Sequence, residues 1–398
     1  MITVSNATKA AWLDETSYKE YEVLVYYGGE TWTYNNDTIK RDSINISAAI
    51  MQSNKIEFGG CIARKLDIIF DGPRNISGDS NDRWRLTLRA RANATEWISL
   101  FSGTTISCKR EPETGLIRYE AYDAFYDLAN MDITSWYNSY SGWNQIGTVF
   151  NSFLTETGLP ARLDCHFANE LETVALGGLS NPVNSLSALD FIKQLCQMNC
   201  CFGEIDGGGY FRTVNIDPEQ TAEEIDVYDS YTKGGMYYSV SSIVFKPTSE
   251  AESVRYPTAP ISNDDAYVIQ DNVLTLNSLS SELSTFGQND KNNLTDVAFR
   301  AFSANQLARP WLECGDKVSY FDDEEIHEQA EYIILSRTFS GDQFAKDSYS
   351  ASLDETLGPE ENTTLNTTSK PRTVQYSTAD IVEGTTRLAT GNLYLVYE

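Results

Sequence analysis

The chain has two histidines, His166 and His327, and neither stands in a metal-binding spacing such as HExxH or beside a nucleophile motif. His166, between Cys165 and Phe167, reads as a packed imidazole; His327, in the acidic run DDEEIHEQ, reads as solvated. Of seven cysteines, Cys196, Cys200 and Cys201 cluster as soft-metal ligands do, but without a CxxC pair or a nearby histidine, so they read as the buried end of a helix. Gly207 to Gly209 lie inside a hairpin rather than between a strand and a helix, and so make a turn and not a phosphate loop. No metal or cofactor is expected. Carboxylates remain, because a glycosidase needs only two of them at a fixed separation. Asp190 and Glu204 flank the middle of the chain, yet Asp190 is explained by the dipole of a helix start, and Glu204 by the outer face of a hairpin. The 23 tyrosines and seven tryptophans are scattered through strand-like stretches, where aromatic rings serve packing or subunit contacts.

The elements that would position these groups are mostly strands. Residues 19–34 spell a hairpin around Gly28-Gly29, and strand patterns follow at 38–48, 55–70, 83–90, 98–109 and 116–121, a spacing that indicates a barrel or sandwich. From Tyr122 the texture turns helical; Asn144 is placed to cap a helix carrying Ile146, Val149, Phe150 and Phe153, closed by Gly158 and Pro160. Ser185 or Ser187 caps a second helix with Leu186, Leu189, Ile192, Leu195, Cys196 and Asn199 on one stripe, which runs into a hairpin, FGEI and YFRTVNI, around Asp206 to Gly209. Beyond it the pattern predicts strands at 224–228, 236–245 and 266–276, a helix over 293–306, then a meander of three or four strands through WLECGDKVSYF, EYIILSRTFSG and FAKDSYSASLDE. Residues 360–372 read as a linker, and the alternating LATGNLYLVYE as a last strand with nothing in the chain to pair with.

The fold class is therefore mainly β with an α/β insertion. The expected division is a first β module at 1–120, an α/β connector at 121–209, a second module split into 210–246 and 307–356 around an insertion at 247–306, and a tail at 357–398. A short echo between Ile56 to Phe70 and Leu312 to Phe321 is in keeping with two related modules.

The chain has 398 residues, 41% of them apolar, with 57 acidic against 30 basic residues and a formal charge of −27. That balance excludes a duplex-DNA binder, which neutralises phosphates with Lys and Arg. Seven dispersed cysteines in a chain of this size point to reduced thiols. The N-terminus has no apolar signal core and no window reaches the length of a membrane span, so synthesis in the cytoplasm and no membrane insertion are expected.

In order along the chain, NKIEFGGCIARKLDIIF (54–70), IRYEAYDAFYDLANMDITSWYN (117–138), SALDFIKQLCQMNCCFGEIDGGGYFRTVNI (187–216), RPWLECGDKVSYF (309–321) and YIILSRTFSGDQFAKDSYSA (332–351) resemble the tail-hub proteins of bacteriophages and prophages of Gram-positive hosts. These are relatives of the baseplate hub of contractile tails and of the N-terminal part of tail-associated lysins. The resemblance implies a non-enzymatic virion protein made in the bacterial host and located at the tail tip. It implies two tube-type β-barrels per chain and a homotrimer whose six barrels continue the tail tube. Its partners would be a distal tail or tail-tube protein above and a spike, fibre or lysin below, with the tape-measure protein and then DNA passing through the channel without stable binding. On that basis the acids Glu223, Glu224, Asp264, Asp265, Asp322, Asp323, Glu324 and Glu325 are candidates to face the lumen, where a polyanion must slide. Leu393, Tyr394, Leu395, Val396 and Tyr397 form a candidate attachment strand. The alternatives are a tail-associated cell-wall or glycan hydrolase using paired carboxylates, and a carbohydrate-binding tail adhesin.

Overall fold

A computed structural model describes residues 2–51, 55–72, 83–141, 145–172, 183–226, 228–247, 252–258, 266–276, 278–321, 329–341, 343–353, 374–377 and 393–396. The chain divides into two compact units, Met1–Gly358 and Pro359–Glu398.

The N-terminal residues, in which the sequence shows no element, form helix α1 (Asn6–Leu13), with Ser5 Oγ accepting the Thr8 amide at 3.2 Å and Trp12 buried. The expected hairpin follows as β1 (Lys19–Tyr27) and β2 (Glu30–Asn35), its Gly28 and Gly29 at φ of 59° and 84°. Next come β3 (Ile44–Ala49), β4 (Lys65–Phe70), β5 (Arg85–Ala92), β6 (Ile98–Arg110) and β7 (Ile117–Tyr122). Only the last six residues of the strand expected over 55–70 are extended. Its first part is a loop whose Phe58 ring packs on Phe202, Tyr267 and Phe299, drawing distant parts of the chain onto one aromatic centre.

The connector holds α2 (Ala124–Ala129), α3 (Thr134–Ser139), α4 (Ile146–Thr157) and α5 (Ala188–Met198). Helix α4 buries the four predicted apolar residues and stops at Gly158 in the left-handed region; its N-cap is Gln145, and Asn144 lies outside the described residues. Ser187 caps α5, accepting from the Asp190 amide at 3.0 Å, and the hairpin β8 (Phe202–Ile205) and β9 (Phe211–Val214) follows as read.

Downstream lie β10 (Glu223–Ile225), β11 (Tyr228–Tyr238), β12 (Ser242–Lys246), β13 (Val254–Tyr256), β14 (Ala266–Gln270) and α6 (Ser280–Asn293). They are followed by β15 (Phe299–Leu307), β16 (Lys317–Phe321), β17 (Gln329–Ile333), β18 (Ser336–Gly341) and β19 (Lys346–Ala351). The strand expected over 266–276 stops at Gln270, where the chain turns, and two further expectations fail here. The single strand over 236–245 is the end of β11 and the start of β12, and the helix over 293–306 is strand β15. In FRAFSANQL, Phe299, Ala301, Ala304 and Gln306 are buried, a period near two that overrides the helix-forming alanines. The helix stands one segment earlier, where Leu283, Phe286, Gly287 and Asp290 share the buried stripe.

Strands from both β modules meet in one eleven-stranded sheet, ordered β11-β15-β19-β18-β3-β4-β7-β6-β5-β1-β2, with β18 and β3 paired antiparallel at the join. Smaller sheets are β10-β16-β17, β13-β12-β14 and β8-β9. The fold is mainly β with helices inserted. In the second unit β20 (Val374–Ser377) pairs in parallel with β21 (Leu393–Val396), so the strand expected to lack a partner in the chain has one. The expected linker at 360–372 lies outside the described residues. Among the described residues no helix is long and apolar enough to cross a membrane.

Candidate functional site

Strand registers put a continuous band of short polar side chains on one face of the large sheet, since residues directly opposite each other share a face. Ser230, Asn305, Ser348, Thr338 and Ser47 form one row across β11, β15, β19, β18 and β3, ending at Lys65 on β4. Thr232, Ser303, Ser350 and Ser336 form the next. The other face carries Phe302, Ala304, Tyr349, Phe339, Ile46 and Leu66, all buried. The exposed side chains bond to one another: Asn305 Nδ2 donates to Ser230 Oγ at 2.8 Å, and the hydroxyls of Ser336 and Ser350 lie 2.6 Å apart.

Several charges on this face are paired across strands. Lys65 Nζ sits 2.9 Å from Glu120 and 3.1 Å from Asp67, whose hydrogen bonds push its ammonium up to about 12. Arg89 Nε donates to Glu22 at 2.6 Å, Arg91 to Glu20 at 2.7 Å, and Lys346 lies 2.5 Å from Asp229. Such exposed pairs add little stability. What they do is leave these cations beside a carboxylate rather than open to an anion in solution.

Behind the join of the sheet lies a buried ionic junction. Glu204, read as an outer-face residue, is 3% exposed: Oε1 accepts from Arg64 Nη2 at 2.6 Å and Oε2 from Arg212 Nε at 3.0 Å. All four residues of β8 are buried, because β8 and β9 are closed over by the first module and by the turn before β16. Glu313, in that turn, lies 3.6 Å from Arg212 and 4.0 Å from Arg64. Burial opposes its charge, but the two guanidinium groups hold its carboxyl below the usual range. Alongside, Asp347 accepts from Arg337 Nε at 2.9 Å, the Arg309 amide at 2.7 Å and the Tyr349 hydroxyl at 3.0 Å.

Asp123, also buried, caps α2 and accepts the Arg64 and Phe125 amides at 2.8 and 3.0 Å. Burial outweighs those bonds and pushes its carboxyl from 3.8 up to about 7. A group raised on folding stabilises fully below its unfolded pKa and loses that contribution as pH rises through the folded one. Stability should therefore fall between about pH 4 and pH 7 by on the order of 3 kcal/mol from this residue. Urea midpoints measured across that window should flatten in Asp123→Asn; an unchanged slope would contradict the assignment.

The residues singled out in the sequence are dispersed. Asp190 stands on the exposed first turn of α5 and borders a cleft of about 230 Å³ with Lys193 and Gln194, whereas Glu204 is sealed inside, so the two carboxylates do not converge. His166 is exposed rather than packed, its Nδ1 2.9 Å from the Asp164 carbonyl, because its neighbour Phe167 takes the buried position; His327 lies outside the described residues. Cys196, Cys200 and Cys201 are free and buried at the end of α5, and no described group of His, Cys, Asp and Glu could hold a metal ion. Of the candidate lumen acids, Glu223 is engaged within the chain by Lys9 Nζ at 2.6 Å and Trp311 Nε1 at 3.2 Å, and Glu224 is exposed beside it. Asp264, Asp265, Asp322, Asp323, Glu324, Glu325 and Tyr397 lie outside the described residues; Leu393 to Val396 are strand β21.

No protein-family model and no curated protein matches the chain. Solved structures do resemble it. The 43 kDa tail protein of prophage MuSo2 from Shewanella oneidensis aligns over 83% of this chain and 97% of its own, at 11% identity and a TM-score of 0.46. Prophage tail protein gp18 from Listeria monocytogenes aligns over 83% and 94%, at 10% identity and 0.48, and a tail protein from Neisseria meningitidis over 83% and 95%, also at 10% and 0.48. A chain of the phage P2 baseplate aligns over 84% and 100%, at 8% identity and 0.29. The structural neighbours of this chain are thus prophage tail proteins and a phage baseplate protein.

Proposed function

We propose that the chain is a structural phage tail protein, a hub of which three copies form a ring continuing the tail tube, with the band of hydroxyl and amide side chains turned toward the bore. The observation that carries this reading is the shared sheet: residues of both β modules form one surface whose polar face is uninterrupted across the join at β18 and β3. A bore for a polyanion requires walls without unpaired cations, because each Lys or Arg contact to phosphate adds affinity. Around the join, self-bonded hydroxyls and the paired Lys65 and Lys346 answer that requirement without a wall of acids, and Glu224 remains a candidate addition to it. In this reading residues 1–120 and the split segment 210–246 with 307–356 supply two tube-type barrels, 121–209 connects them, and the expected insertion at 247–306 is one up to β15, which belongs to the sheet. The tail at 357–398 attaches a distal spike, fibre or lysin, and the tape-measure protein and DNA pass through.

Negative-stain images of the purified protein, with its mass in solution, test the ring; a monomer or a particle without a central hole would remove the hub reading. Within an assembled phage, Thr338→Lys with Ser348→Lys should lengthen DNA ejection in a salt-dependent way while the particles still form. Unchanged ejection would turn this face away from the bore.

A further inference from the structure

Beside the ionic junction lies a small, partly open space bordered by Ile46, Ala48, Arg64, Glu204, Glu313 and Arg337. Three buried polar atoms around it make no hydrogen bond: both carboxylate oxygens of Glu313 and Nε of Arg64. Glu313 is 2% exposed and Arg64 6%. A carboxylate sealed from water without hydrogen bonds loses several kcal/mol of solvation, and the guanidinium groups at 3.6 and 4.0 Å supply charge but not bonds. The charges themselves balance. Arg64, Arg212 and Arg337 face Glu204, Glu313 and Asp347, so the space calls for neither a cation nor an anion.

Its size matches one occupant. The volume open to the centre of a water molecule is about 10 Å³, close to the smallest space that holds a single water, and buried waters make about three hydrogen bonds. Water brings two O–H donors for the Glu313 oxygens and lone pairs for the Arg64 N–H, which is the complement of the three unbonded atoms.

We infer that this space is a binding site for one structural water, held by Glu313 and Arg64, at the point where the first module, the β8-β9 hairpin and the second module meet. The water is a member of the junction. It carries the carboxylate's hydrogen bonds while the arginines carry its charge, and the geometry between the modules rests on both. This holds whether or not the chain forms a ring.

Ala48 on β3 borders the space and allows a test by an isosteric pair. Ala48→Thr and Ala48→Val add side chains of the same shape, so any crowding is common to both, and both would displace the water. Threonine brings a hydroxyl into the space that Glu313 borders, whereas valine brings no polar group. In urea denaturation of the full chain, the folding equilibrium constant of the threonine variant should exceed that of the valine variant by about ten-fold. A structure of the unsubstituted protein at a resolution that shows ordered solvent should hold one density peak within hydrogen-bonding distance of Glu313 and Arg64. A valine variant as stable as the threonine variant or more so, or no peak at that position, would overturn the assignment.

Discussion

Glu204→Ala should lower the unfolding free energy by about 3–5 kcal/mol, the largest effect of any single side-chain truncation proposed for this protein. The reason is not the strength of the pair in itself, since well-packed apolar residues often replace buried ion pairs without loss. Truncating Glu204 leaves Arg64 and Arg212 with only the more distant Glu313 between them, both guanidinium groups nearly removed from solvent. A urea midpoint that moves by no more than an exposed salt-bridge deletion would, about 0.2–1 kcal/mol, would show that the junction is open to water and the burial argument wrong. The useful comparison is Lys346→Ala on the exposed face, whose partner Asp229 stays solvated and whose effect should fall in that small range.

The second large effect is a single added methyl. A Cβ on Gly207 would stand 2.1 Å from the Ser99 carbonyl oxygen and 2.7 Å from its carbon, both backbone atoms of β6. Ser99 is paired with Arg89 of β5, which anchors this end of the strand against moving away. Gly207→Ala should therefore cost on the order of 3 kcal/mol or more, or displace the hairpin from the sheet. The neighbouring Gly208 is an internal control, since its nearest added contact is the Asp206 side chain at 3.3 Å and its φ is not positive. Gly208→Ala should change stability by less than about 1 kcal/mol. Equal thermal midpoints for the two variants would mean that the hairpin does not seat on β6 as described.

These two cases mark where the sequence can be read and where it cannot. The three glycines announce a reversal, and Gly209 at φ 88° needs that freedom. That Gly207 is required for a close approach to β6 depends on a strand more than a hundred residues earlier, which no local pattern records. Helix α5 and its Ser187 cap were legible because amphipathic spacing and capping are local. Helix α1 was not: only Thr8 and Trp12 of its eight residues are buried, too little for a periodic signal. Residue type misled at β15, where small residues resemble a helix and alternate as a strand. Of the candidate site, the serines and threonines of β18 and β19 were visible as an alternating pattern, while their alignment into rows came only from the register between distant strands. The charged junction could have been suspected at Asp347, which falls in phase with Ala345, Tyr349 and Ala351 on the buried side of its strand. At Glu204 no such phase exists, because every residue of β8 is enclosed.

The join between β3 and β18 also has a consequence for how the chain is made. Asn45 and Ser340, which meet there, are 295 residues apart, so at typical translation speeds the N-terminal half waits roughly 15–60 s on the ribosome for its hydrogen-bonding neighbour to emerge. Through that interval the backbone groups of one β3 edge are unoccupied, and pairing with the wrong chain is the hazard. Cells synthesising this protein slowly, or crowding several ribosomes on its message, should therefore lose more of it to aggregates than its final stability would indicate.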